Sequence, residues 1–179
     1  RPFGNNPVWI GYDPAESGDS AGMVVVAPSP VPGGKFRLLE RIQFRGMDFK
    51  AQAEMIRQTT LRYYVTYIGV DITGMGTGVS QLVKQFFPNV TEFSYSPEVK
   101  TRHVLKTMDV IRHGRLEYDA GWTDLSQSLM SIKKTLTASQ RQMTFTAGRS
   151  EETGHADLAW ALMHAVQNEP LEGQTQMNQ

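Results

Sequence analysis

Two apolar runs in this 179-residue chain end on a carboxylate followed by a glycine-containing loop: VWIGYD, closing at Asp13, and YIGVD, closing at Asp71. An aspartate just past the carboxyl end of an apolar strand stands where open α/β sheets place their ligands. If the two strands are parallel neighbours, about 4.8 Å apart, the two side chains converge enough to share a cation. A third acid, Asp157, lies in the first turn of the alanine-rich segment HADLAWALMHAV, on a face with Ala161. Small residues let such a helix approach a sheet closely, and its positive end favours an ionised carboxylate. Three aspartates gathered without compensating bases repel one another, and a bound divalent cation removes the repulsion. Hard oxygen ligands with open water positions suit magnesium or manganese. Two such ions roughly 3.5 to 4 Å apart would activate water and stabilise the leaving oxygen in phosphodiester cleavage. A lone aspartate at a strand end is commonly a turn former or a helix cap, so this reading needs all three to meet in space.

Other residues could assist. His155, two positions before Asp157, could position water, contact a phosphate or help a metal, or simply bond locally at the helix start. Asp19, in the turn ESGDS, is an accessory acid or ordinary turn chemistry. Glu54, on the first helix, is expected to face solvent. The loop GMGTG after Asp71 invites a dinucleotide reading, but Val79 stands where the fingerprint needs its last glycine, and Asp71 would repel a pyrophosphate. Gly74, Gly76 and Gly78 serve more simply as a tight turn that leaves room for metal and substrate.

The elements that must position these residues can be read from periodicity. Val8 to Tyr12, Gly22 to Ala27 and Lys35 to Phe44 read as strands, joined by short turns and therefore an antiparallel meander. Asp48 can cap a helix from Phe49 to about Tyr63. VTYIGVD is a fourth strand, and a helix follows from about Val79 to Phe87. NVTEFSYS is a fifth strand, and the helix after Pro97 carries Val104, Met108 and Ile111 on one face. Trp122 to Ile132 reads as helical, and KKTLTASQRQMTFTA alternates like a late hairpin. In the last helix Leu158, Trp160 and Leu162 read as core rather than a stacking platform. Strands followed by alternating units predict an α/β fold with a mixed five-stranded sheet, three strands antiparallel and then two parallel, flanked by helices.

Composition bounds the rest. With 40% hydrophobic and 20% charged residues the chain reads as one compact domain over 1–169, followed by a polar tail over 170–179. The absence of cysteine excludes disulfides, thiolate chemistry and Cys-based zinc sites, and fits a reducing compartment. No apolar run approaches the roughly 18 residues of a membrane span, so no membrane partner is expected. Net charge is zero, yet from Lys100 to Arg149 nine Lys/Arg face four acids. Lys100, Arg102, Lys106, Lys133, Lys134 and Arg141 could therefore contact the phosphates of a duplex without reading its sequence, or could be solvated surface.

The order of Asp13 on a strand, a meander, a helix, Asp71 on a strand and a late helix bearing Asp157 resembles the ribonuclease H-like nuclease fold. In detail, GYDPA, IGVDITGMGTGV, PEVKTRHVLKTMDVIRHGRLEY and GHADLAWALMHA, in that order, are similar to the C-terminal nuclease domain of phage and prophage terminase large subunits, from about Val8 to Asn168. The resemblance maps Asp13, Asp71 and Asp157 onto the family's catalytic, metal-binding acids. It implies a Mg2+- or Mn2+-dependent endonuclease that cuts double-stranded concatemeric viral DNA during genome packaging. It further implies two ions, the bacterial host cytoplasm, and as partners the terminase ATPase domain, the small terminase subunit and the portal. No G-x-x-x-x-G-K-[ST] is present, so no nucleotide is expected in this domain. Because the first residue is Arg rather than Met, a domain cut from a longer protein is expected. A junction resolvase or transposase-like nuclease of the same fold, or a non-catalytic nucleic-acid-binding module, are the alternatives.

Overall fold

The computed structural model describes residues 1–14, 20–73, 77–139 and 156–169, of which 133–139 are described by their backbone alone. Six strands and five helices follow in the order β1 (Pro7–Asp13), β2 (Ser20–Ala27), β3 (Phe36–Arg45), α1 (Phe49–Arg62), β4 (Tyr64–Asp71), α2 (Thr77–Val83), β5 (Thr91–Phe93), α3 (Pro97–Arg112), β6 (Leu116–Glu117), α4 (Thr123–Ser139) and α5 (Asp157–Val166). The strands form one sheet in the order β5-β4-β1-β2-β3-β6. β1 to β3 are the expected antiparallel meander, and β4 and β5 run parallel to β1 on its other side.

Period-two alternation sorts the strand residues between two helical layers. Val8, Ile10 and Tyr12 of β1, Met23 and Val25 of β2, and Ile68 and Val70 of β4 pack in one core with Ala53 and Ile56 of α1 and Val79 and Val83 of α2. The intervening residues face the other way. There Val24, Val26, Phe36 and Leu38 pack with Val110 of α3, Leu125 of α4 and Leu158, Ala161, Leu162 and Ala165 of α5. Parity therefore also sends Asp13, two residues beyond Gly11, and Asp71, two beyond Gly69, to the α5 face. A sheet covered on both sides has near-continuous apolar strands, which is why β2 reads AGMVVVA without polar alternation.

α5 sits unusually close to the sheet because three adjacent strands present glycine beneath it. A Cβ on Gly11 would stand 1.8 Å from the Ala161 carbonyl oxygen, and one on Gly22 2.7 Å from that of Asp157. One on Gly69, the register partner of Gly11, would stand 2.7 Å from that of His164. Glycine on the sheet and alanine on the helix together make a trough that a side chain on either would fill.

The expected cap forms at α1, and α3 begins at Pro97 as expected, with Ser96 as a cap that was not anticipated. Asp48 caps α1, its Oδ1 accepting from the Ala51 N–H at 2.7 Å, and Ser96 caps α3 ahead of Pro97. Glu54 is exposed and paired with Arg57 at 2.7 Å.

Three expectations are corrected. The sheet has six strands rather than five, because Leu116–Glu117 pairs parallel to the start of β3; two residues are too short to carry an alternation. The late hairpin does not form at its first half: α4 continues through Lys133 and Lys134 to Ser139. The rest of that segment, 140–147, lies outside the described residues. On α3 the buried stripe is Val104, Thr107 and Val110, with Met108 only partly buried, so the helix is rotated from the expected face. Among the described residues no helix is long and apolar enough to cross a membrane.

Candidate metal centre

Asp13 and Asp71 end neighbouring parallel strands whose last registered pair is Tyr12 with Val70, so the carboxylates emerge side by side at the carboxyl edge of the sheet. Together with His164 of α5 they form a group in which one ligand atom from each residue lies within 4.8 Å of the others. Ligands around one six-coordinate ion stand about 3 to 4.5 Å apart, so this spacing fits a single divalent cation. Asp157 joins from the first turn of α5, hydrogen-bonded to Asp13. Asp13 thus adjoins both of the other aspartates expected from the sequence, Asp71 within the mutually close group and Asp157 through the hydrogen bond.

Each carboxylate is held by a different part of the fold. Asp71 Oδ1 accepts from the Thr73 backbone N–H at 2.8 Å, so it is a turn former as well as a site residue. Asp157 Oδ2 accepts from the Ser20 hydroxyl and, at 3.3 Å, from Gln43 Nε2. Burial raises the pKa of all three acids above the ordinary carboxylate range. Asp13 is raised furthest: burial is the main cause, and the neighbouring Asp157 and Asp71 charges add to it. The hydrogen bond between the two carboxyls acts in opposite directions on them, raising Asp13 and lowering Asp157.

Among the described residues two cations act on this cluster: Arg45, at the end of β3, on Asp157, and Lys100, from the first half of α3, on Asp13 and Asp71. Lys100 is half-buried, its ammonium 4.6 Å from the Trp160 ring centre, and burial pulls its pKa down while Asp71 and Asp13 act to hold it up. Of the other basic residues, Arg102 is exposed. Lys106 donates to the carbonyls of Gln167 and Glu169 just beyond α5. The side chains of Lys133 and Lys134, and Arg141 altogether, lie outside the described residues, as do His155, Asp19, Gly74 and Gly76.

The sequence reading missed His164, Tyr95, Ser20 and Gln43. His164 is fully buried, the eighth residue of an α5 otherwise almost wholly apolar. Its Nδ1 lies 2.7 Å from the Tyr95 hydroxyl, which in turn lies 3.3 Å from His103 Nδ1. Its backbone carbonyl accepts from the Tyr67 hydroxyl at 2.8 Å. Phe93 and Tyr95 stack against its ring at centroid distances of 5.6 and 5.5 Å. Burial holds His164 at about 3, with His103 and Lys100 adding to the effect, and His103 at about 4, so both rings are neutral at pH 7. A charge-bearing residue type amid an apolar helix was the available signal: HADLAWALMHAV places His164 seven residues, two turns, after Asp157 and on the same face.

The chain matches the family described as Terminase RNaseH-like domain over residues 10–169. It is 61% identical over 171 residues to the "Terminase, ATPase subunit" of Escherichia phage P2, covering 96% of this chain and 29% of that protein. The "Probable terminase, ATPase subunit" of Haemophilus phage HP1 is 44% identical over 172 residues, covering 96% of this chain and 28% of its own length. The chain thus spans less than a third of these curated relatives. Among solved structures, the large terminase nuclease from thermophilic phage G20c with bound magnesium superimposes with a TM-score of 0.68 at 16% identity, covering 92% of this chain and 82% of that one. Fold, order of elements and family match agree: the chain belongs to the terminase RNaseH-like domain family and has the fold of a large-terminase nuclease domain.

Proposed function

We propose that this domain is a divalent-metal-dependent endonuclease that cuts double-stranded viral DNA during genome packaging. The observation that carries the reading is that Asp13 lies beside both Asp71 and Asp157 at the carboxyl edge of the sheet, where the charges of these two neighbours bear on it and a cation would relieve them. Asp13, Asp71 and Asp157 would hold Mg2+ or Mn2+, and two ions fit the chemistry of phosphodiester cleavage. When bound, the ions supply charge neutralisation, acidification of water and stabilisation of the leaving oxygen. The protein's own contribution is positional. The glycine trough presses α5, and with it Asp157, against β1 and β2. Ser20 and Gln43 orient the Asp157 carboxylate, and the Thr73 N–H orients that of Asp71. Lys100, which interacts electrostatically with Asp71 and Asp13, would offer a cation to a phosphate of the bound strand, and the exposed Arg102 would extend that charge along α3.

The carry-over from the relatives extends the reading to its partners: a terminase ATPase domain in the same polypeptide, the small subunit and the portal, in the host cytoplasm. The test is plasmid cleavage with Mn2+ by wild type and Asp71→Asn, with DNA binding measured in parallel. Asparagine keeps an oxygen for the Thr73 N–H and removes the charge. Loss of cleavage with DNA binding preserved supports the enzyme. Undiminished cleavage by the variant refutes the site. DNA binding by a wild type that does not cleave with any divalent ion favours a non-catalytic nucleic-acid module.

A further inference from the structure

The three carboxylates do not complete the cluster. The third member of the mutually close group is His164, and its environment specifies which nitrogen is available. Nδ1 is engaged by the Tyr95 hydroxyl at 2.7 Å, while Nε2 is fully buried and has no hydrogen-bond partner among the described residues. A buried imidazole nitrogen without a partner costs free energy unless something binds there. Tyr95 Oη also lies 3.3 Å from His103 Nδ1. If the Tyr95 hydroxyl donates to His103, its oxygen is left to accept from His164 Nδ1–H. That places the His164 proton on Nδ1 and a lone pair on Nε2, the arrangement a metal-ligating histidine requires.

The ring cannot turn away from this duty. Tyr67 fixes the His164 backbone carbonyl, Phe93 and Tyr95 clamp the ring face, and α5 is held against Gly69 of β4. The side chain that reaches the carboxylates is thus oriented by groups from β4, from β5 and the segment after it, and from α3, none of which is itself an acid.

We propose that His164 Nε2 is a nitrogen ligand of the divalent cation shared with Asp13 and Asp71, oriented by a Tyr95–His103 hydrogen-bond relay. The inference rests on the metal-dependent reading above and sharpens it. An imidazole in an otherwise carboxylate site shifts preference from Mg2+, which favours oxygen, toward Mn2+, Co2+ and Zn2+. Tyr95 is a positioning residue: it does not touch the metal, and its role is to hold the tautomer and the ring plane.

The experiment is pulsed electron paramagnetic resonance on the domain loaded with one equivalent of Mn2+. Directly coordinated imidazole gives 14N modulation of the spin echo, and selective 15N-histidine labelling of the wild type must convert it to the 15N pattern, a control that needs no substitution. His164→Gln is expected to abolish the modulation and to weaken Mn2+ binding, measured by calorimetry, by at least about tenfold, with a smaller effect on Mg2+. His103→Gln, which retains the ligand, must keep the modulation, and so must His155→Gln. Tyr95→Phe keeps the modulation but lowers Mn2+ affinity, by about tenfold or less. Mn2+ binding and DNA cleavage without any histidine nitrogen signal would overturn the assignment of His164 while leaving the nuclease reading intact. Modulation that survives in His164→Gln would do the same. A wild type that binds no Mn2+ at all would overturn both.

Discussion

The closest approach in the structure yields the sharpest test. Gly11→Ala adds one methyl group on β1, where it would lie 1.8 Å from the Ala161 carbonyl oxygen and 2.7 Å from the Ala165 nitrogen. Both are backbone atoms of α5, so no side chain can swing aside. To restore an ordinary contact of 3.4 Å the helix must back away by about 1.6 Å, well beyond what repacking of a rotamer absorbs. Overpacking typically costs about 1 to 3 kcal/mol where side chains can yield, so a backbone clash belongs at or above about 3 kcal/mol. For a domain of this size that lowers the melting temperature by roughly 6 to 12 °C. The same displacement would carry Asp157 and His164 away from Asp13 and Asp71. Metal sites tolerate about 0.2 Å in ligand distance, and a misplacement near 1 Å costs about a hundredfold in rate. The assays are thermal unfolding and the initial rate of Mn2+-dependent plasmid nicking. Gly121→Ala makes the same chemical change in the loop before α4, where the new Cβ meets only the Asp119 Oδ1 atom at 3.1 Å, and serves as the control. Should Gly11→Ala unfold within about a degree of wild type and nick DNA at the wild-type rate, the trough does not position α5 and the reasoning fails.

Two further outcomes follow from the electrostatics of the site. The folded-state pKa of Asp13 is raised above its unfolded value, so its contribution to stability is present in full below about pH 4 and is lost as pH rises through the folded value. In EDTA, Asp13→Asn is therefore expected to be more stable than wild type, by a margin that widens with pH above about 4 at up to about 1.4 kcal/mol per pH unit. His103 and His164 have depressed values and act in the opposite sense, losing stability as pH falls below about 6.5, but they are common to both proteins and cancel in the difference. Saturating Mn2+ should reverse the order, because only wild type keeps all its ligands; differential scanning calorimetry checks both, and a variant less stable than wild type in EDTA at pH 8 refutes the repulsion. Ser20→Ala removes the hydroxyl that stabilises ionised Asp157, so the acidic limb of the pH–rate profile for Mn2+-dependent cleavage should move to higher pH. An unmoved limb would mean that Gln43 alone orients the carboxylate.

Much of the fold was legible because its signals are local. Asp48 before Phe49 and Ser96 before Pro97 are caps whose chemistry acts within a few residues, and both open helices where expected. The apolar runs of β1, β2 and β4 are long enough to reveal themselves. The late hairpin was misread because KKTLTAS alternates between polar and apolar residues while also fitting a helix, and only its continuity with the preceding turns of α4 decides between them. The two-residue β6 has no pattern of its own and exists because β3 offers it an edge.

The sequence by itself determined which carboxylates could meet: an aspartate at the end of each of two apolar strands and one at the start of an alanine-rich helix, each a consequence of short-range pattern. Which partners complete them was decided only by tertiary structure. His164 is only weakly marked in sequence, by its spacing of two turns from Asp157, because a histidine inside an apolar helix usually means no more than a satisfied core residue. It becomes part of the site only because glycines 11, 22 and 69, on three different strands, let α5 lie against the sheet. Lys100 likewise reads as one surface charge among several until α3 folds it over Trp160 and toward the acids. Contacts between residues as distant in sequence as Ser20 and Asp157 depend on strand order and helix placement, which are properties of the whole packed chain rather than of any stretch of it.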